Sequence, residues 1–226
     1  MSTPILSINP ASPEPELIEQ AARALNLGQI MVIPTDTVYG IAQLVTPTAD
    51  PEELKKIKER PGEKNIPLLV ASLSDLERYG TELPAFAKEL AAKHWPGELT
   101  LVVRASSAMP AQFIGEDGSV ALRVPACNIT LALLDAVKSP LACSSANISG
   151  KPPATSLEEL DPLVAERVSL IVDGGSLLGG VPSTVVCCLN EQPKLLRPGP
   201  VRVESGEWRV ESGEWRVESG ELREKN

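Results

Sequence analysis

Rings are scarce in this chain: Phe, Trp and Tyr together make up 3% of 226 residues. The core must therefore be built from Val, Leu, Ile and Ala, and stacking on exposed rings is a poor candidate for the main binding mode. Histidine occurs once, at His94, and the four cysteines (Cys127, Cys143, Cys187, Cys188) form no CxxC pair, which argues against a zinc site. The cysteines read as buried small hydrophobes in a reducing cytosol, with Cys187 and Cys188 pointing to opposite faces of a strand. Positive charge is in deficit, 21 Lys and Arg against 30 Asp and Glu, for a net charge of −9. That balance counts against a DNA-coating or membrane-surface protein, but not against a local basic site for a polyanionic small molecule. No apolar run approaches the roughly 20 residues that cross a bilayer. The N-terminus has no basic stretch followed by an apolar one, so no signal peptide is expected and the location expected is cytoplasmic. There is no P-loop, no GxGxxG after a strand, no GxSxG elbow and no HExxH.

What is present is ordinary globular material: 42% hydrophobic and 23% charged residues, with 21 prolines that suggest many short elements. Apolar spacing predicts a helix over 14–27 ending at Gly28, then a buried strand over 29–33 ending at Pro34. A short basic helix is predicted over 51–59 and a strand over 66–71. Ser72 or Ser74 is expected to cap the next short helix. Further helices are predicted over 84–95, 129–137 and 157–167. Strands are predicted over 99–103, 119–124, 141–143, 170–172, 184–189 and 194–196. The interleaving implies an α/β domain with a mixed sheet, whose strand order this pattern does not reveal.

The tail breaks the pattern. RVESGEW occurs at 202–208 and again at 209–215, and RVESGEL at 216–222. The spacing is not that of a coiled coil. Trp208 with Val210, and Trp215 with Val217, would share strand faces with Ser-Gly turns between, so a small meander and a weakly ordered tail are both open readings. The expected division is a catalytic domain over 1–201 and a repeat tail over 202–226.

Six stretches could carry chemistry. Lys55, Lys56, Lys58, Arg60 and Lys64 form a basic cluster, readable as a solvated helix face or as a phosphate site. The loop Ser144-Ser145-Ala146-Asn147-Ile148-Ser149-Gly150 follows a strand and is dense in small donors that could cradle an anion. Pro34-Thr35-Asp36-Thr37-Val38-Tyr39-Gly40 also lies at a strand end. Arg123 is a charge inside an apolar strand and needs an anionic partner, either a structural carboxylate or a substrate. Pro182-Ser183-Thr184 and Leu196-Arg197-Pro198-Gly199 complete the set. Open α/β sheets bind ligands at such strand ends. The inventory is Arg, Lys, Ser, Thr and Asn, suited to holding anions and two substrates together rather than to covalent catalysis.

In order along the chain, PTDTVYG, Lys58-Glu59-Arg60, His94-Trp95-Pro96-Gly97 with Leu99-Thr100, Ala-Leu-Arg-Val-Pro, Ser-Ser-Ala-Asn-Ile-Ser-Gly, Ser183-Thr184-Val185-Val186 and Leu-Arg-Pro-Gly resemble the YrdC/TsaC family over about residues 5–200. The resemblance implies a YrdC-like twisted open mixed sheet flanked by helices, with a concave basic cavity. It implies threonylcarbamoyl-AMP synthesis from L-threonine, bicarbonate and ATP, with pyrophosphate released. A transferase complex would then pass the threonylcarbamoyl group to tRNA beside the anticodon. Thr35, Arg123, Ser145 and Ser183 are implied threonine contacts, Arg123 pairing with the amino acid's carboxylate. Lys58, Arg60, Lys64, Ser119, Asn147, Thr155 and Arg197 are implied ATP contacts, with Lys58 and Arg60 as the catalytic cations. Mg²⁺ would be held mainly through ATP phosphates, with no organic cofactor.

Two positions depart from the family's pattern. Glu98 stands where proline commonly follows WPG, and Ala71 where some members have histidine. The heptad tail alone follows the matched region, so the chain resembles the short form of the family. A second reading is an RNA- or nucleotide-binding module without synthase activity; the concave basic patch is compatible with weak RNA binding. A third, carbamoyl transfer of the hydrogenase-maturation kind, is disfavoured by the lack of flanking zinc-finger-like and acylphosphatase-like segments.

Overall fold

The computed structural model of the chain describes residues 2–59 and 66–203, together with the backbone of 215–218 and 221–224. It opens with β1 (Ile5–Ser7), α1 (Pro15–Asn26), β2 (Met31–Ile33) and β3 (Gly40–Leu44). Next come α2 (Glu52–Ile57), β4 (Leu68–Leu69), α3 (Ser74–Tyr79), β5 (Gly80–Thr81) and α4 (Ala85–His94). The middle holds β6 (Leu99–Ala105), β7 (Ser119–Arg123), α5 (Asn128–Val137) and β8 (Leu141–Ser145). Then follow α6 (Pro162–Arg167), β9 (Leu170–Asp173), β10 (Thr184–Cys187) and β11 (Lys194–Arg197). In the tail, β12 (Trp215–Glu218) and β13 (Glu221–Glu224) pair as a separate antiparallel ladder, with Val217 opposite Leu222.

The main sheet runs β1-β9-β2-β3-β8-β4-β7-β6-β10-β11, with β5 paired to β6. It is mixed: β9 is parallel to β1 and β2, β4 to β7, and β6 to β10, while β2/β3, β3/β8, β4/β8, β6/β7 and β10/β11 are antiparallel. Side chains alternate across such strands, so each strand feeds two packed layers. Met31 and Ile33 join one apolar cluster and Val32 the other; Leu170 and Val172 oppose Ile171 in the same way. On one face α1 and α5 bury Ile18, Ala21, Leu25, Ile129 and Leu133. On the other, α2, α3, α4 and α6 bury Leu54, Leu76, Leu90 and Val164. The α1/α5 layer is wholly aliphatic apart from Met and Cys, whereas the other layer also buries Tyr39, Tyr79, Phe86 and Phe113 among its aliphatic side chains. Among the described residues, no helix is long and apolar enough to cross a membrane.

Several elements differ from the sequence expectation. The sequence pattern does not mark β1, β3 or β5. β3 was hidden because Gly40, Ala42 and Gln43 break the β-branched signature of a strand, and burial between β2 and β8 overrides that weak propensity. The expected helix over 157–167 is a 3₁₀ turn (Leu157–Glu159) and then α6, divided because Pro162 is tolerated only in a first turn. Neither Ser72 nor Ser74 caps α3. The backbone N–H groups of Ala71 and Ser72 bind the Asp75 carboxylate instead, at 3.0 and 3.1 Å. α2 stops at Ile57, so Arg60 falls beyond it, outside the described residues like Lys64. Trp215 and Val217 sit two apart on β12 as their spacing suggests, whereas Trp208 and Val210 lie outside the described residues.

Candidate active site

β7 shows how the sequence makes a cavity. Val120 and Leu122 enter the cluster under α2, α3, α4 and α6, so Ser119, Ala121 and Arg123 face the other way. β6 repeats the pattern, with Leu99, Leu101 and Val103 inward and Thr100 and Val102 opposite. On that opposite face α1 and α5 pack over β1, β9, β2, β3 and β8. The face of β4, β7, β6 and β10 instead floors a cavity of about 880 Å³. Small or polar residues alternating with large aliphatic ones leave the room, because a strand side with short side chains fills less space.

One wall is built around Lys58, which directly follows α2 and is 4% exposed. Its ammonium donates to the Ser145 carbonyl, to Ser145 Oγ (3.3 Å), to the Asn147 carbonyl (2.9 Å) and to Asn147 Oδ1 (3.0 Å). Asn147 is itself fixed: Oδ1 accepts from Ser145 Oγ (2.6 Å), and Nδ2 donates to the carbonyls of Ile148 (3.0 Å) and Lys151 (2.6 Å). A buried ammonium needs such oxygens to offset its lost hydration. The loop after β8 therefore grips Lys58 and aims it along the cavity wall.

A second cluster is centred on Arg123, 6% exposed. Its Nε donates to the Gly97 carbonyl (2.9 Å), Nη1 to Thr37 Oγ1 (3.2 Å) and Nη2 to Asp36 Oδ1 (2.5 Å). Of the two partners left open by the sequence, a carboxylate of the protein is the one engaged. Two turns deliver these groups. Thr35 Oγ1 donates to the Val38 carbonyl (2.6 Å) and accepts from the N–H groups of Thr37 and Val38, which tightens the turn carrying Asp36 and Thr37. In the WPG turn, Trp95 Nε1 donates to the Leu99 carbonyl (2.7 Å) and Gly97 N–H to that of Val124 (2.8 Å).

A third corner joins β10 and β11. Arg197 donates through Nε and Nη2 to the Ser183 carbonyl (3.0 and 2.7 Å) and through Nη2 to Ser183 Oγ (3.1 Å). Ser183 Oγ and Thr100 Oγ1 share a bond of 2.8 Å. Ser119 lines the cavity beside Asp117, and its hydroxyl holds the Asp117 carboxyl below the usual range.

Eight implied site residues thus line one cavity: Thr35, Lys58, Ser119, Arg123, Ser145, Asn147, Ser183 and Arg197. Thr155 does not line it; its N–H and hydroxyl both donate to Glu159 Oε2, each at 2.8 Å, in the turn before α6. Thr37, Gly40, Thr100, Glu116 and Asp117 also line the cavity, beyond the residues the resemblance implies. Thr100 carried a usable signal, a polar residue within the apolar run Leu-Thr-Leu-Val-Val. Gly40 has a structural reason that the sequence does not show, since a Cβ there would meet Cys143 Sγ at 2.3 Å. Glu116 and Asp117 stand in a Gly-Glu-Asp-Gly turn with nothing to mark them.

Burial pushes the Cys143 and Cys188 thiols up to about 12 and raises Cys127. These thiols stay protonated and poorly nucleophilic. Burial likewise raises Glu98, with the Asp36 carboxylate adding to it and Arg123 opposing. Among the described residues, no group of three or more His, Cys, Asp or Glu is arranged to hold a metal ion. The described cavity lining carries Lys58, Arg123 and Arg197 against Glu116 and Asp117, an arrangement able to hold anionic groups at separate points.

The profile of the Sua5/YciO/YrdC family, described as "Telomere recombination", matches residues 23–199. A protein of Pyrococcus abyssi (strain GE5 / Orsay) named "Threonylcarbamoyl-AMP synthase" is 36% identical over 188 residues, 83% of this chain and 55% of its own length. The chain thus spans about half of that relative. A Mycobacterium tuberculosis (strain ATCC 25618 / H37Rv) protein named "Putative threonylcarbamoyl-AMP synthase" is 35% identical over 83% of this chain and 86% of its own length. The crystal structure of P. abyssi Sua5 complexed with L-threonine superposes with a TM-score of 0.80 at 36% identity, covering 88% of this chain and 58% of that one. A mixed sheet of this order, the cavity on its uncovered face and these matches lead to one assignment: the chain belongs to the Sua5/YciO/YrdC family.

Proposed function

We propose that this chain makes threonylcarbamoyl-AMP and pyrophosphate from L-threonine, bicarbonate or CO₂, and ATP. The observation that carries the reading is the convergence of Lys58, Arg123 and Arg197, from three separate chain segments, on one cavity. The likeness to relatives named as synthases, and to a structure holding L-threonine, supports it.

Arg123 binds the threonine carboxylate. A guanidinium has five N–H donors. The bonds to Gly97, Thr37 and Asp36 use one on each nitrogen, and the second donor on each Nη is offered to the substrate. Thr35, Ser145 and Ser183 orient the amino acid. Lys58, Asn147, Ser119 and Arg197 hold ATP, with Arg60 and Lys64 expected on sequence grounds. The carbamate formed on threonine's amine attacks the α-phosphorus through oxygen, and pyrophosphate leaves. Lys58 and Arg197 neutralise charge that builds on the phosphates, and holding both substrates in one cavity keeps attack in line. Mg²⁺ enters with ATP, held through phosphate oxygens. No protein nucleophile is needed.

Residues 1–201 form the catalytic unit in this reading, and 202–226 an appended repeat. The product then passes to a tRNA-threonylcarbamoyl transferase complex in the cytoplasm. The test is pyrophosphate release with ATP, Mg²⁺, bicarbonate and L-threonine. Release that does not depend on threonine refutes the synthase. RNA affinity with a steep salt dependence and no turnover replaces it with the binding module.

A further inference from the structure

α6 is tied at both ends to the segments that cage Lys58. At its start, Asp161 accepts from Leu163 N–H (3.0 Å) and from Lys151 Nζ (2.6 Å), and the Lys151 carbonyl accepts from Asn147 Nδ2. At its end, Arg167 spreads its fork: Nη1 donates to the Ile57 carbonyl (2.9 Å) and Nη2 to Glu59 Oε1 (2.7 Å). Lys58 lies between those two anchor points, and its own carbonyl accepts from Ser149 N–H at 2.8 Å.

Three facts give this clamp a purpose. The Ile57 carbonyl belongs to the last turn of α2, where no later helical N–H can reach it. Glu59 has φ +51°, in the left-handed region that a Cβ disfavours, so something must hold it there. An exposed ion pair alone stabilises little, and the pair here has side chains 35% and 53% exposed. The second arm on a backbone carbonyl supplies the geometry, which a point-charge lysine cannot reproduce.

We propose that Arg167, outside the cavity, is a positioning residue for Lys58: it fixes the turn at Ile57–Glu59 from which the buried ammonium enters the cage. Its kinetic consequence rests on Lys58 serving ATP. Two readouts on the full chain test it. In steady-state kinetics, Arg167→Ala raises the KM for ATP roughly tenfold, with kcat and the threonine KM within about twofold. In amine labelling with an N-hydroxysuccinimide acetate, mapped by mass spectrometry, Lys58 reacts roughly tenfold faster in Arg167→Ala than in the unaltered protein, because its cage opens. Arg167→Lys, which keeps the charge without the fork, falls between. Glu59→Gly added to Arg167→Ala restores both readouts in part, since glycine takes positive φ without strain.

Unchanged ATP KM and unchanged Lys58 labelling in a folded Arg167→Ala protein overturn the proposal. So does an equal loss in kcat and both KM values that follows a lowered melting temperature, which marks a general structural role. Should the unaltered protein show no threonine-dependent turnover, the synthase reading fails and the labelling alone decides the positioning claim. Should Arg167→Ala not fold, Arg167→Lys with and without Glu59→Gly carries the same comparison.

Discussion

Replacing Lys58 by methionine keeps most of the buried stem and removes the charge. Among the described residues the ammonium meets oxygens of Ser145 and Asn147 with its three N–H donors. Hydrogen bonds to a charged group contribute about 1.5–3 kcal/mol each when one partner is deleted. Desolvation relief opposes this, because the variant no longer buries a cation. The net loss of stability should therefore be only about 1–3 kcal/mol, small enough for the protein to stay folded. If Lys58 serves ATP as proposed, the effect on ATP is different, since a phosphate then loses its cation with no such offset. Losing one charge-assisted contact at about 2–3 kcal/mol lowers kcat/KM for ATP roughly 30- to 150-fold. The KM for threonine should move less than about threefold, because Arg123 and its own partners are untouched. Pyrophosphate release with ATP varied at saturating threonine, and then the reverse, measures both. A kcat/KM for ATP within about threefold of the unaltered protein refutes the assignment of Lys58, provided melting shows a folded protein.

Asp36→Asn leaves the buried Arg123 guanidinium facing a neutral amide and should cost about 3 kcal/mol in urea unfolding, toward the lower limit for a broken buried pair; a loss below about 1 kcal/mol would mean the pair is solvent-screened. Gly40→Ala drives a methyl into Cys143 Sγ and should destabilise by about 1–3 kcal/mol, with Cys143→Ala recovering part of that loss in the double variant. Strict additivity of the two would contradict the contact. Tyr39 is fully buried, donates to the Gly175 carbonyl (2.7 Å) and accepts from Gly174 N–H (3.1 Å), and burial pushes its hydroxyl up to about 12. The unfolded phenol titrates near 10, so between about pH 10 and 12 the folded state holds the extra proton and stability falls as pH rises. Tyr39→Phe should lower stability by about 1–3 kcal/mol at pH 7 and flatten that alkaline slope in thermal melts; an unchanged slope would assign the loss to another group.

Much of the site was legible along the chain because its chemistry is local. Arg123 stood out as a charge inside an apolar strand, and Lys58 within a basic run of an acidic protein. What the pattern could not show was partnership. Arg123 meets Asp36, 87 residues away, and Lys58 meets Asn147, 89 residues away. No local periodicity encodes such pairs. Thr155 shows the converse: its place in the series suggested an ATP contact, yet Glu159, four residues on, takes both its donors. β3 and β5 escaped notice because their strand character comes from the neighbours that pair with them.

The surplus of aliphatic residues and the interleaved helix and strand periods determined, from sequence alone, an α/β protein with a core mainly of Val, Leu, Ile and Ala, and pointed to a candidate site of charged and small polar residues. Those properties follow from composition and from periods of 2 and 3.6 residues, which any chain of this pattern must satisfy. Only the tertiary structure decided the strand order, which half of the sheet the helices leave uncovered, and that Arg167 reaches the turn beside Lys58. Each of these depends on how distant segments share space, and close packing over a whole sheet is settled by all its neighbours at once.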